Sequence, residues 1–292
     1  MEKNSVRKKF RNLISAPRFV PALGVWDAYT ARAAEFFGMD CVHIGGYQLG
    51  VHYVTSEPLL TLTELANTCR YVAAAVKIPV VVDAGAGFGE PLHVMRTVKD
   101  LEQTGVSCIH IEDQSYPKRA SYHKGIEHTI SRQEMVEKIE AAVEARIDPE
   151  FMIMARTDAM KTLSFREGVE RANLYLEAGA EMVMVFPNNL EEARLAPREI
   201  HGPVAYTNSE GNNFGRPVFT LQEFEDMGYK LATYPAQLLA PATQEIKRVI
   251  KSIKNNGLTG FPDDQMALWR REIESMIGLD EYYRIESRTV ER

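Results

Sequence analysis

The chain reads as a (β/α)8 barrel, and three observations lead there. Short β-branched apolar runs alternate with stretches of helical period along most of the sequence. The runs are apolar nearly throughout, as parallel strands covered on both faces require. Several of the helical stretches stop at a glycine just before the next run, at Gly38, Gly105, Gly179 and Gly228, where a left-handed cap costs glycine little. An open doubly wound sheet is the alternative, because periodicity does not reveal strand order or closure.

In chain order, the spacing predicts strands over Phe19–Val25, Cys41–Ile44, Pro79–Asp83, Cys108–Glu112, Phe151–Arg156, Met182–Phe186, Val204–Thr207 and Leu231–Tyr234. Between them it predicts helices over Ala28–Phe37, Leu62–Val76, Pro91–Leu101, Ser131–Ala145 and Ser164–Ala178. Pro91 suits a first helical turn, and Ser131 with Glu134 three residues on forms a capping-box pattern. No linker-like tract divides the chain, so 1–292 reads as a single barrel domain, with an N-terminal helix over 1–17 and a helical extension over 258–292. Val6, Phe10, Leu13 and Ile14 make one apolar stripe, so the basic N-terminus (Lys3, Arg7, Lys8, Lys9, Arg11) reads as a docking helix rather than a targeting segment. Asp263–Met276 is amphipathic and carries Trp269, which points to packing on the barrel or to a subunit contact.

With 40 acidic against 34 basic residues, the net charge of -6 argues against a nucleic-acid partner. No apolar run approaches the roughly 18 residues of a membrane span. Three scattered cysteines, Cys41, Cys69 and Cys108, do not make a disulfide framework, so a reducing, cytoplasmic setting is expected. The expected partner is a small acidic metabolite.

In such a barrel the chemistry sits at the C-terminal ends of the strands. Polar residues there are Asp27, Gly45-Gly46-Tyr47, Asp83, Glu112-Asp113-Gln114, Arg156-Thr157-Asp158, Asn188, Asn189, Asn208 and Glu210. Converging carboxylates repel one another, so either some take up protons or a cation sits among them; oxygen ligands suit Mg2+ or Mn2+. Asp83 and Glu112, on neighbouring strands, are the metal candidates. Arg156 is the one arginine among them, and Asn208 and Glu210 are further substrate-binding candidates. The long loop Ser115–Ile130, with Lys118, Arg119, His123, Lys124 and His128, reads as a basic lid. The glycines of Asp83-Ala-Gly-Ala-Gly-Phe-Gly89 have the wrong spacing for a dinucleotide fingerprint.

Val25-Trp-Asp-Ala28, His43-Ile-Gly-Gly46, Val82-Asp-Ala-Gly-Ala-Gly-Phe-Gly89, Ile111-Glu-Asp-Gln114, Pro117-Lys-Arg119, Lys138 to Arg146, Ala155-Arg-Thr-Asp-Ala159 and Met227-Gly-Tyr229 together resemble the isocitrate lyase/phosphoenolpyruvate mutase superfamily, in particular its short, methylisocitrate lyase-like members. The resemblance runs from about Phe10 to Gly257. It implies a Mg2+-dependent barrel that cleaves or rearranges the bond beside a carbonyl in a small 2-hydroxy or 2-oxo acid, through an enolate. It implies that Asp83 touches the metal, Glu112 holds metal-bound water, Arg156 steadies the enolate, and Gly45, Gly46 and Tyr47 grip a carboxylate. It also implies a homo-oligomer, a dimer or tetramer exchanging C-terminal helices. This chain departs from the pattern. Gly85 and Ala86 replace an Asp and a Thr, the lid has Ala120 and Ser121 and no cysteine, and Asn188 replaces a Glu. His123 or Tyr122 then stands in for the thiol as proton donor. A phosphonopyruvate mutase or hydrolase, an oxaloacetate-type decarboxylase, and a non-catalytic metabolite-binding barrel are the alternatives.

Overall fold

The computed structural model describes residues 3–213 and 215–291; the outermost residues of the expected N-terminal helix and C-terminal extension lie outside these. The described chain forms two compact units, residues 1–238 and 239–292.

In the first unit eight parallel strands close in sequence order into a barrel. They are β1 (Val20–Val25), β2 (Val42–Ile44), β3 (Val80–Asp83), β4 (Cys108–Glu112), β5 (Met152–Arg156), β6 (Met182–Met184), β7 (Val204–Thr207) and β8 (Leu231–Tyr234). The helices of this unit are α1 (Lys3–Ser15), α2 (Ala28–Phe36), α3 (Gly46–His52), α4 (Leu62–Ala75), α5 (Pro91–Thr104), α6 (Arg132–Ala145), α7 (Ala159–Thr162), α8 (Phe165–Glu177), α9 (Leu190–Glu199) and α10 (Leu221–Met227). β6 stops two residues short of the expected end. α3, α7, α9 and α10 are short elements that periodicity did not resolve. The capping box at Ser131 and Glu134 is present, and Gly38, Gly105, Gly179 and Gly228 all take positive φ.

Alternation along the strands sorts the core. One set of side chains packs outward against the helices, among them Val82, Ile109, Ile111, Ile153 and Val183. The other set fills the barrel interior, with Val20, Ala22, Cys41, Val81, Cys108, Met152, Met154, Met182 and Leu231. Phe10 and Ile14 of α1 belong to this inner cluster, so the amphipathic stripe docks as expected. Arg7 is buried on the same helix and donates to Val106 O at 3.0 Å and to Asp148 at 2.6 Å. Toward the C-terminal ends the inward positions turn polar, at His43, Asp83, His110, Glu112 and Arg156.

Register decides which of these meet. Asp83 pairs with His110 across β3 and β4, and Glu112 pairs with Arg156 across β4 and β5. His110 and Glu112 lie two positions apart on β4, so both face inward.

The second unit comprises α11 (Leu239–Asn256), α12 (Asp263–Met276) and α13 (Leu279–Thr289). It begins earlier than the extension expected from position 258. Within it Phe261 packs edge-on to Trp269, with ring centroids 4.6 Å apart. All three cysteines are buried thiols. Among the described residues no helix is long and apolar enough to cross a membrane.

Candidate active site

A cavity of about 290 Å³ opens at the C-terminal end of the barrel, lined by strand ends and the loops that follow them. Its floor is organised by one cation. Arg156 Nη1 lies 3.0 Å from Glu112 and 3.6 Å from Asp83, and Nη2 lies 3.3 Å from Asp158. Its guanidinium also caps the Phe186 ring at 4.7 Å. Burial works against the charge, yet Asp158, Glu112 and Asp83 more than compensate, and Arg156 titrates well above its ordinary value.

The carboxylates respond differently to the same surroundings. Burial pushes Glu112 up to about 7, against the pull of Arg156 and Lys118. Asp83 is also buried, but His110, Arg156 and Lys118 hold it below the usual carboxylate range. Burial brings His110 down to about 4 and His43 to about 3, so both rings are neutral at pH 7. Arg156 and Lys118 are therefore the nearby charges that keep Asp83 ionised at that pH. The two histidines face each other with Nε2 atoms 3.0 Å apart, one donating to the other. Asp83 Oδ1 accepts from Gly85 N at 2.9 Å.

The long loop is a docked lid. Its base is tied by the Gln114–Thr129 bridge and by Ser115 N donating to His128 O at 2.7 Å. Lys118 reaches inward to Glu57 and lies 3.0 Å from Glu112. Burial opposes its charge, and Glu112 and Glu57 raise it above the usual lysine range. Tyr122 donates to Glu57 at 2.5 Å, and burial together with Glu57 keeps that phenol protonated. His123 Nε2 meets Ser56 Oγ at 3.0 Å, and its ring lies edge-on to Tyr47.

Gly45 is the N-cap of α3, and Gly46 and Tyr47 open the helix; all three line the cavity. First-turn N–H groups have no intrahelical acceptor. A Cβ at Gly46 would lie 2.3 Å from the Glu57 side chain, so glycine is required for that close approach. Glu210 also lines the cavity. Asn208 does not take the expected substrate-facing place. Its amide donates to Phe219 O at 2.9 Å and accepts from Phe219 N at 3.0 Å, so both ends are spent on the backbone. Asp27 is a helix cap, accepting from Thr30 N at 2.7 Å. Asn188 bonds Met160 O and Glu192.

Strand-end reading missed several lining residues. Glu57 sits in a one-turn helix well past β2, and His43 and His110 lie within strands. Gln48 is fully buried at the cavity, and among the described residues neither of its amide atoms has a hydrogen-bond partner. The inward phase of β2 and β4 could have revealed the histidines; nothing local marks Glu57 or Gln48.

Beneath the cavity lies a scaffold. Buried Asp113 accepts from Thr157 Oγ1 at 2.7 Å, Asp158 N at 3.0 Å, Tyr175 OH at 3.0 Å and Arg171 at 3.1 Å. It fixes the turn that presents Asp158 to Arg156.

The phosphoenolpyruvate phosphomutase family model matches residues 10–254. The 2,3-dimethylmalate lyase of Eubacterium barkeri is 35% identical over 281 residues, covering 95% of this chain and 96% of that one. The 2-methylisocitrate lyase of Aeropyrum pernix is 36% identical over 277 residues, covering 93% and 87%. Among solved structures, oxaloacetate acetylhydrolase in complex with 3,3-difluorooxalacetate superposes with a TM-score of 0.88 at 26% identity, over 97% of each chain.

Replacing Asp113 leaves Arg171 buried without its central acceptor. We expect Asp113→Ala to lose about 3–5 kcal/mol in urea denaturation. A loss below about 1 kcal/mol, the size of an exposed pair, contradicts the scaffold role.

Proposed function

The chain belongs to the phosphoenolpyruvate phosphomutase family, an enzyme of the isocitrate lyase/phosphoenolpyruvate mutase type, and from that premise we propose that it cleaves a carbon–carbon bond in a small 2-hydroxy or 2-oxo carboxylic acid with the help of Mg2+ or Mn2+. The observation that carries the reading is Arg156, held by three carboxylates at the floor of a cavity of metabolite size.

The residues suit a divalent cation. Among the described residues the charged partners of Glu57, Asp83, Glu112 and Asp158 in this cluster are Lys118 and Arg156, His110 beside Asp83 being neutral, which leaves an excess of negative charge. Among the described residues no three His, Cys, Asp or Glu side chains form a ready chelate. Mg2+ does not need one, since it keeps several waters and uses one or two carboxylates. The space at Gly85 is open, because a Cβ there would meet nothing within 4 Å. Asp83 would hold the cation directly and Glu112 through water. Bound there, the cation supplies positive charge beside the substrate oxygens.

The protein's own groups supply the rest. In a 2-hydroxy acid the hydroxyl gives its proton to a carboxylate lining the cavity, the C–O carbon becomes a carbonyl, and the electron pair of the broken C–C bond stays on the departing fragment as an enolate. Arg156 faces that developing charge from a position set before substrate arrives. Tyr122, kept protonated and committed to Glu57, holds the lid down and excludes water. His123, on the same lid turn, delivers the proton that quenches the enolate.

The test is incubation with Mg2+ and a panel of 2-hydroxy and 2-oxo acids, followed by NMR. We expect release of a smaller 2-oxo acid, and a rate lower by about 100-fold or more in Arg156→Lys. Phosphate release from phosphonopyruvate alone redirects the reading to phosphonate chemistry. An unchanged panel, with no Mg2+-dependent stabilisation by oxalate, favours a barrel that only binds.

Glu112 gives the cation site a pH dependence. Below about 7 the carboxyl is protonated and cannot attract the cation. Affinity for Mg2+ should therefore rise with pH through neutrality, by up to about tenfold per unit below that point, and Glu112→Gln should flatten the profile in calorimetry.

We also propose a homo-oligomer that exchanges its C-terminal helices. Ile246, Ile250 and Ile253 follow helical spacing on α11, are exposed, and belong to a helix with no buried residue. Light scattering should give a mass of two or four chains; a monomer at micromolar concentration contradicts it.

A further inference from the structure

Among the described residues five carboxylates line the cavity: Glu57, Asp83, Glu127, Asp158 and Glu210. Cleavage of a 2-hydroxy acid asks one of them to take the hydroxyl proton, and four are otherwise engaged. Glu57 holds Lys118 and Tyr122 of the lid. Asp83 lies against Arg156, accepts from Gly85 N and is the proposed cation ligand. Asp158 lies 3.3 Å from Arg156 and accepts from Gln114 Nε2 at 2.8 Å. Glu210 is exposed, so water competes for its oxygens.

Glu127 stands apart from these. It comes from the returning arm of the lid, outside every motif of the sequence. Its side chain is only 6% exposed. Oε1 accepts from Lys161 Nζ at 2.7 Å, whereas Oε2 is buried with no hydrogen-bond partner among the described residues. A buried acceptor left bare is costly, and a ligand hydroxyl would satisfy it. The backbone around it is fixed, because His128 O accepts from Ser115 N at 2.7 Å and Thr129 bridges to Gln114. Lys161, on α7 just past β5, also lines the cavity and sets the direction of the carboxylate. Arg216, on the loop after β7, lines the same cavity and feels the charge of Glu127. Burial and the charge of Asp158 raise the proton affinity of Glu127 above that of an ordinary glutamate, against the pull of Lys161.

We infer that Glu127 is the general base of the cleavage, its Oε2 taking the substrate hydroxyl proton while Lys161 orients the carboxylate through Oε1. The inference rests on the proposed cleavage of a 2-hydroxy acid. The O–H bond breaks and its proton passes to Oε2. The electron pair left on oxygen forms the carbonyl as the C–C bond breaks, and the pair from that bond becomes the enolate that His123 protonates. Between turnovers Glu127 releases its proton to solvent and His123 takes one back, so protons balance.

The experiment offers malate, 2-methylmalate and 3-methylmalate with Mg2+, follows cleavage by NMR, and continues with the acid that wild type cleaves fastest. Glu127→Gln keeps the shape and an acceptor for Lys161 but removes the base. We expect its kcat to fall by about 100- to 10,000-fold, with KM and the Kd of oxalate in calorimetry moved by less than about twofold. Glu127→Ala leaves a hole of carboxylate size, and added formate should raise its kcat by about tenfold or more without speeding wild type. A residue that only latches the lid behaves otherwise: its amide still receives Lys161, and formate cannot tie the loop down. A Glu127→Gln kcat within about tenfold of wild type, or no rescue of Glu127→Ala by formate, overturns the inference. If Glu127→Gln also loses oxalate, formate rescue of Glu127→Ala decides alone. A wild type that binds oxalate with Mg2+ but cleaves none of the three acids removes the proposed cleavage, and the inference with it.

Discussion

The site depends on one buried guanidinium. Arg156 ends β5, and Asp83, Glu112 and Asp158 surround it from three neighbouring stretches of backbone. Each acid alone would be expensive to hold ionised away from water. Together with Arg156 they become affordable, but not equally so. Asp83 stays charged, while Glu112 is pushed to the edge of neutrality. The floor thus holds one committed anion and, fully buried behind it, one near its titration point.

The barrel makes that floor possible by dividing its interior in two. The N-terminal half is filled by valine, methionine, leucine and cysteine, closed below by Phe10 and Ile14. The C-terminal half uses the same inward positions for His43, Asp83, His110, Glu112 and Arg156. Close packing below gives the polar layer rigid supports, so donors and acceptors hold their separations without a ligand. The Asp113 network does the same for the turn carrying Asp158, and it draws on α8 through Arg171 and Tyr175. The lid adds Lys118 from above, so Glu112 is sandwiched between a strand cation and a loop cation.

The departures from the family pattern acquire a physical meaning in this setting. Gly85 leaves space beside Asp83 where an acid would add charge. Lys118 brings a cation to the same neighbourhood, and the negative excess is smaller than a further carboxylate would make it. The lid carries no thiol, and its docked turn instead brings a phenol and an imidazole to the cavity, one fixed by Glu57 and one beside Ser56.

Much of the fold was legible in the chain because its signals are local. Strand positions followed from apolar runs, helix starts from Ser131 with Glu134, and helix ends from glycines that take positive φ. Strand ends then located Asp83, Glu112 and Arg156, since in a barrel they share one rim. Short helices such as α3 and α7 escaped because a single turn leaves no period to detect. Asn208 looked like a ligand and proved to be a backbone brace, because position along a strand does not say what its amide reaches. Sequence alone therefore determined the strand positions, the acids at their ends and the strand-end arginine, all set by patterns a few residues long. Only the tertiary structure decided that Glu57, Gln48, His43 and Arg216 belong to the same cavity. Their proximity arises from ring closure and loop docking, and contacts between residues far apart in the chain leave no periodic trace in it.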